Sequence, residues 1–259
     1  MTRLGRYRFV AVVAVAAVVA SGCTTESRLT AGGATHQRTT TVTVLAAASL
    51  TEPLTTLAQQ YERTHDGVEV ALSFGSSTTL AQQVAEGAPA DVVAFAGTAA
   101  LDLLPKDATD RGGRATIARN TMEIATPPDN PGGVHDLADL AKPDLDVVLC
   151  ASTVPCGKAA DTVLSRAAIT PHVVSREVDV KATLAKVRLG EADAAVVYHS
   201  DVVSAGDGVK GVVIPKTQNT TLDYPLVWLN AKPDTAGFAA FVRGPEGRAA
   251  LTVAGFLAP

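Results

Sequence analysis

Two stretches of the chain, LAAASL (Leu45 to Leu50) and SFGSSTTL (Ser73 to Leu80), each run an apolar, strand-like segment into Ser or Thr hydroxyls that open an amphipathic helix. A helix N-terminus leaves its first backbone N–H groups without intrahelical partners and carries about half a positive charge. A hydroxyl at that point completes a cradle for a small oxyanion. Ser49 and Ser77 hold these positions. Each has a plainer role open to it, as the N-cap of its own helix. At successive strand-to-helix junctions of one parallel sheet, however, both would face the same end of the sheet.

The second half of the chain repeats the pattern. VPCGKAADTVL (Val154 to Leu164) puts Cys156 at the opening of a helix that follows strand DVVLC, so its backbone N–H is free to point outward. VDVKATL places Asp179 at an N-cap and leaves the Val180 N–H as another donor. A carboxylate facing a dianion would repel it, so Asp179 is expected to turn away and cap its own helix. Tyr198 ends strand AAVVY, where it either supplies a phenolic donor or packs as a core ring with a wet hydroxyl.

Five positions so far apart need a framework that gathers strand ends. The chain alternates strand-like and helix-like periods: TVTVL, then a helix with Leu50, Leu54, Leu57 and Tyr61 on one face; VEVALSF, then a helix carrying Leu80 and Val84 that stops at Gly87. DVVAFA (Asp91 to Ala96) reads as a strand buried on both faces, with a short helix from Ala99 to Leu104 after it. Arg114 to Pro128 is a long extended stretch. Beyond it come a helix near Leu137 to Ala141, strand DVVLC, a helix from Gly157 to Ala168, strand HVVSREV, a helix from Val180 to Leu189 and strand AAVVY. GVVIP and YPLVWLN are again extended, and two helices, near Phe238 to Val242 and Ala249 to Phe256, close the chain. The order implies an α/β fold of two lobes, 41–120 with 223–259 and 121–222, each a central sheet flanked by helices. A ligand would sit in the cleft between them, at the carboxyl ends of the strands.

The N-terminus carries an address. Arg3, Arg6 and Arg8 precede an unbroken apolar run from Phe9 to Ala20, too short to span a bilayer comfortably and suited to a secretory signal over residues 1–22. Ser21 and Gly22 directly before Cys23 resemble the lipobox of bacterial lipoproteins, which makes Cys23 the lipidated N-terminal residue of a protein held on the outer face of the cell membrane. Thr24 to Thr40, rich in Thr and Gly, reads as a flexible tether reaching roughly 20–25 Å. Residues 1–22 hold three of the 22 Lys and Arg and none of the 26 Asp and Glu, so their removal takes the formal net charge from −4 to −7. Such a body excludes nucleic acid as a partner class, and it must hold an anion with local dipoles because its long-range field repels one.

Catalytic motifs find no anchor. The chain has no G-x-S-x-G, S-x-x-K, H-E-x-x-H, P-loop or G-x-G-x-x-G, and its five histidines lack ligand spacing. A binding protein without enzymatic activity, cofactor or direct metal ligand is expected.

From Thr41 to Pro259 the chain resembles the molybdate-binding proteins of ABC importers, type II periplasmic binding proteins. The signatures are VLAAASLTEPL, SFGSSTTLAQQVAEGAPADVVAFA, VPCGKAADTVL, DVKATLAKVRLGEADAAVVYHSDV and DYPLVWL. The resemblance implies an oxyanion, molybdate or tungstate, held by two serine hydroxyls, backbone N–H groups and a tyrosine, at Ser49, Ser77, Cys156, Val180 and Tyr198. Cys156 departs from the small residue frequent there; a backbone contact tolerates the change. It also implies delivery to a membrane permease by a monomer. The alternative is a protein of the same fold for sulfate or another tetrahedral oxyanion. Molybdate, a full dianion at neutral pH, suits a site made only of donors, whereas phosphate still carries a proton and calls for an acceptor.

With Cys23 set aside, Cys150 and Cys156 are the remaining cysteines of an exported chain, and a disulfide between them is expected.

Overall fold

The computed structural model describes residues 39–259; the signal segment, Cys23 and nearly all of the tether lie outside them. Strand β1 (Thr40–Ala47) begins one residue inside the expected tether, because Thr40 already pairs with Val68. A 3-10 turn (Ala48–Leu50) leads into α1 (Thr51–Thr64), whose Leu54, Leu57 and Tyr61 are buried. β2 (Val68–Gly75) follows, then α2 (Ser77–Ala85), which ends where Gly87, at φ +97°, lets the chain reverse. The Gly87 N–H bonds Val84 O and the Ala88 N–H bonds Gln83 O, a left-handed cap that only glycine enters without strain.

β3 (Val92–Ala94), wholly buried, is followed by a 3-10 turn (Ala99–Leu103) in place of the expected helix, and by α3 (Lys106–Asp110). β4 (Gly113–Thr126) is the long extended stretch expected from sequence. After a 3-10 turn (Ala138–Ala141) come β5 (Val147–Cys150), α4 (Pro155–Arg166), β6 (Val173–Glu177), α5 (Val180–Arg188), β7 (Ala194–Tyr198), α6 (His199–Ala205), β8 (Lys210–Val213), β9 (Thr221–Trp228), α7 (Pro233–Arg243) and α8 (Pro245–Val253). α4 starts two residues earlier than expected. Pro155 occupies its first turn, where its missing N–H costs nothing.

The strands run β2-β1-β3-β9-β4-β7-β5-β6, with β8 also on β4. β1, β2 and β3 are parallel, as are β5, β6 and β7; β9 and β4 join the groups antiparallel. β4 changes partner midway: Thr121 lies opposite Thr221 of β9, and Met122 opposite Tyr198 of β7. The two parallel groups are therefore joined along one continuous strand. Helices cover both faces of each parallel group, which explains why β1, β3, β5 and β7 carry near-continuous apolar runs. Among the described residues no helix is long and apolar enough to cross a membrane.

Candidate functional site

The carboxyl ends of five parallel strands converge. β1 delivers Ser49, β2 delivers Ser76 and Ser77, β5 leads to Cys156, β6 to Asp179 and Val180, and β7 ends on Tyr198. All of these residues line one small cavity, with Ala47, Ala48, Gly75, Val154 and Pro155 filling the gaps. The five positions singled out from sequence thus share one enclosure, and each is no more than 4% exposed. The centre of a water-sized sphere sweeps about 20 Å³ there, equivalent to a round hole roughly 3 Å in radius. One tetrahedral oxyanion has those dimensions. A wider groove of about 540 Å³ passes nearby between α2 and α4.

Neither serine caps its helix. Ser49 sits inside the 3-10 turn, where Leu50 rather than Ser49 is the N-cap of α1, and its Oγ lies 2.9 Å from the Tyr224 hydroxyl. Ser77 is the first residue of α2, and its Oγ accepts from the Ala96 N–H at 2.9 Å. The expected capping alternative is overturned for both, because each hydroxyl has a partner from a distant segment. Ser76, the N-cap of α2, makes no capping bond, and its buried Oγ has no partner.

Two helix starts face the cavity from the other side. α4 has no side-chain cap, so the Cys156 N–H in its first turn lacks an intrahelical partner. The close fit of this turn demands Gly157, where a Cβ would stand 2.0 Å from Ala151 O. Cys156 is bonded to Cys150, their Cα atoms 5.8 Å apart. In α5, the Asp179 carboxylate turns back as expected, its Oδ1 accepting from the Ala182 N–H at 2.9 Å, which leaves the Val180 N–H uncapped. The Tyr198 hydroxyl is buried without a hydrogen-bond partner, and burial raises its pKa well above the ordinary phenol value, with Tyr224 and Asp201 adding to the effect. It therefore stays protonated and available as a donor.

Among the described residues no Lys, Arg or His lines the cavity, and Asp179 is the one ionisable side chain besides Tyr198 that does. Among the described residues no three His, Cys, Asp or Glu stand together as a metal site. His199 turns aside, its Nδ1 2.5 Å from Glu123 Oε2. The arrangement offers hydroxyl and amide protons around a hole. Sequence reasoning missed Ser76, Tyr224 and Asn120. The doubled serine at 76 and 77 was a readable signal; the other two lie far from any helix start.

A family model described as bacterial extracellular solute-binding protein matches residues 42–257. The molybdate-binding protein ModA of Mycobacterium tuberculosis is 35% identical over 253 residues, covering 96% of each chain. The solved periplasmic molybdate-binding protein of Azotobacter vinelandii superposes with a TM-score of 0.73 at 20% identity, covering 84% of this chain and 99% of that one. The sulfate-binding protein SubI of Mycobacterium tuberculosis gives 0.72 at 18%, covering 84% and 86%. Both solved structures share the fold.

Proposed function

The chain belongs to the bacterial extracellular solute-binding protein family and to its molybdate-binding members, and we propose that it captures molybdate, or tungstate, outside the cytoplasm and delivers it to the permease of an ABC importer. The observation that carries this reading is a cavity of oxyanion size with buried hydroxyls that lack an acceptor for their protons: Ser76 and Tyr198 have no partner, and Ser77 is bonded only as an acceptor. Free N–H groups at Cys156 and Val180 complete the set. A hydrogen bond to a charged group contributes roughly 1.5–3 kcal/mol, so about five to seven of them support tight binding without a cationic side chain.

The same donors suit sulfate, and cavity size is what separates the anions. Lobes 41–120 with 223–259 and 121–222 close on the anion through β4 and β9, and lipidated Cys23 tethers a monomer to the outer face of the cell membrane. Labelling with a radioactive fatty acid, lost in Cys23→Ala, checks the anchor.

Thermal shift and calorimetric titration with molybdate, tungstate, sulfate and phosphate test the assignment. At an anion concentration 100 times Kd, stabilisation by about 2.7 kcal/mol is expected, with molybdate and tungstate the strongest. Sulfate ranking first would move the assignment to sulfate. No response to any of the four would end it.

A further inference from the structure

Serine hydroxyls donate or accept equally well, so a serine at an anion site does not by itself select a protonation state. In this protein the ambiguity is resolved from a backbone group. The Thr121 N–H can only donate, and it meets Asn120 Oδ1 at 3.0 Å, which identifies that atom as the carbonyl oxygen. The other end of the Asn120 amide is then NH2, with two protons and no lone pair to offer. One proton goes to Ser200 Oγ at 2.7 Å and the other to the Tyr224 hydroxyl at 3.4 Å. Tyr224 thereby has its oxygen engaged as an acceptor. Its single proton turns to Ser49 Oγ, the acceptor 2.9 Å away. Ser49 then has one of its two lone pairs engaged and its own proton left over, facing the cavity it lines.

We infer that Asn120 and Tyr224, neither of which lines the cavity, are positioning residues that bias the Ser49 hydroxyl toward donating into the cavity and so favour fully deprotonated oxyanions over protonated ones. The inference rests on the reading of the cavity as an oxyanion site. Burial supports it: Asn120 and Tyr224 are wholly buried, so water does not compete for the relay. Burial also raises the Tyr224 pKa, which keeps the phenol protonated across physiological pH. The Ala96 N–H does the same for Ser77 in a single step. A protonated oxyanion that turned its own O–H toward Ser49 would set proton against proton, leaving a buried donor unmet.

The test is a double-mutant cycle on the full chain, with molybdate affinity read by calorimetry and thermal melts of each anion-free variant as fold controls. Tyr224→Phe keeps the ring against Phe256 and Tyr198 and removes only the hydroxyl. It is expected to weaken molybdate roughly tenfold. In a Ser49→Ala background the same change is expected to have no further effect, because Tyr224 acts through Ser49. Phosphate is expected to displace molybdate more readily from Tyr224→Phe than from the unaltered protein. Asn120→Asp, which replaces a donor pair by an acceptor, draws the Tyr224 proton away from Ser49 and is expected to weaken molybdate as well. Additive losses in the cycle, or an unchanged affinity in both Tyr224→Phe and Asn120→Asp, overturn the relay. Equal displacement by phosphate in both proteins, or none in either, overturns its effect on selectivity. An unaltered protein that binds no oxyanion overturns the binding-site reading itself, which keeps the two failures apart.

Discussion

Lys181 Nζ stands 2.8 and 2.9 Å from the two carboxylate oxygens of Glu52 and joins the first turn of α5 to the first turn of α1. The two helices flank different parallel groups of the sheet, and each starts at the cavity wall. Lys181 also donates to Ser204 Oγ at 2.9 Å and lies 3.4 Å from Asp201 Oδ1. This contact therefore clamps the cavity from outside without touching its contents.

Lys181→Met is expected to weaken molybdate binding by about 2- to 10-fold, because the pair is partly exposed and such pairs contribute on the order of 1 kcal/mol. Relative affinity among molybdate, tungstate and sulfate should not change. Titrations in low and high salt check the cause: the gap between the two proteins should narrow as salt screens the ion pair in the unaltered chain. A gap independent of salt would point to packing instead.

Ser76 and Ser77 are adjacent and both buried, yet alanine should affect them oppositely in the anion-free protein. Ser77→Ala strands the Ala96 N–H, a loss of about 1–3 kcal/mol that lowers Tm by several degrees. Ser76→Ala removes a hydroxyl that has no partner and should leave Tm unchanged or raise it. Both should weaken molybdate by tenfold or more, since each removes a donor to a charged ligand. Melts with and without molybdate separate the effects, and equal melting of the two anion-free variants would contradict the hydrogen-bond assignment.

Neither Cys150 nor Cys156 should react with an alkylating reagent until a reductant is added, as mass spectrometry of the non-reduced protein can read. The closed loop is short, with six residues of separation, so reduction should cost only about 2–2.5 kcal/mol. The larger effect should fall on affinity, because the bond pins the turn that presents the Cys156 N–H. Two freely alkylated thiols would remove this account.

Asp201 has no exposed surface, and burial pushes its carboxyl up to about 7 against the opposing pull of Lys181. An unfolded Asp titrates near ~3.9. The folded state therefore holds the proton more tightly, and as pH rises from about 4 to about 7 the unfolded chain is favoured progressively by release of that proton. Asp201→Asn cannot ionise, so its stability relative to the unaltered protein should improve over that window, by up to about 4 kcal/mol. Urea unfolding at pH 4.5 and 7.5 measures the difference. A flat or reversed trend would show that Asp201 is ionised throughout.

Local chemistry made much of this protein legible in the residues alone. Runs such as DVVAFA and AAVVY, the glycine at 87, and hydroxyls or Asp179 at helix starts act over a few residues, so the α/β rhythm and four of the five cavity positions followed from spacing. Where the rhythm misled, the cause was also local: Ala99 to Leu103 had helical composition, but Leu104 is held extended ahead of Pro105, and the run stops as a 3-10 turn. Tertiary structure alone decided what each hydroxyl does. Ser49 looks like an N-cap in sequence because capping uses a neighbour, whereas its actual partner, Tyr224, is 175 residues away. The Ala96 N–H that engages Ser77, just past the end of β3, and the Asn120 amide of β4 behind Tyr224 are likewise contributed by distant segments. Hydrogen-bond direction in a buried site depends on which groups have protons left over once every neighbour is satisfied, and those neighbours are chosen by the packing of the sheet, not by the order of the chain.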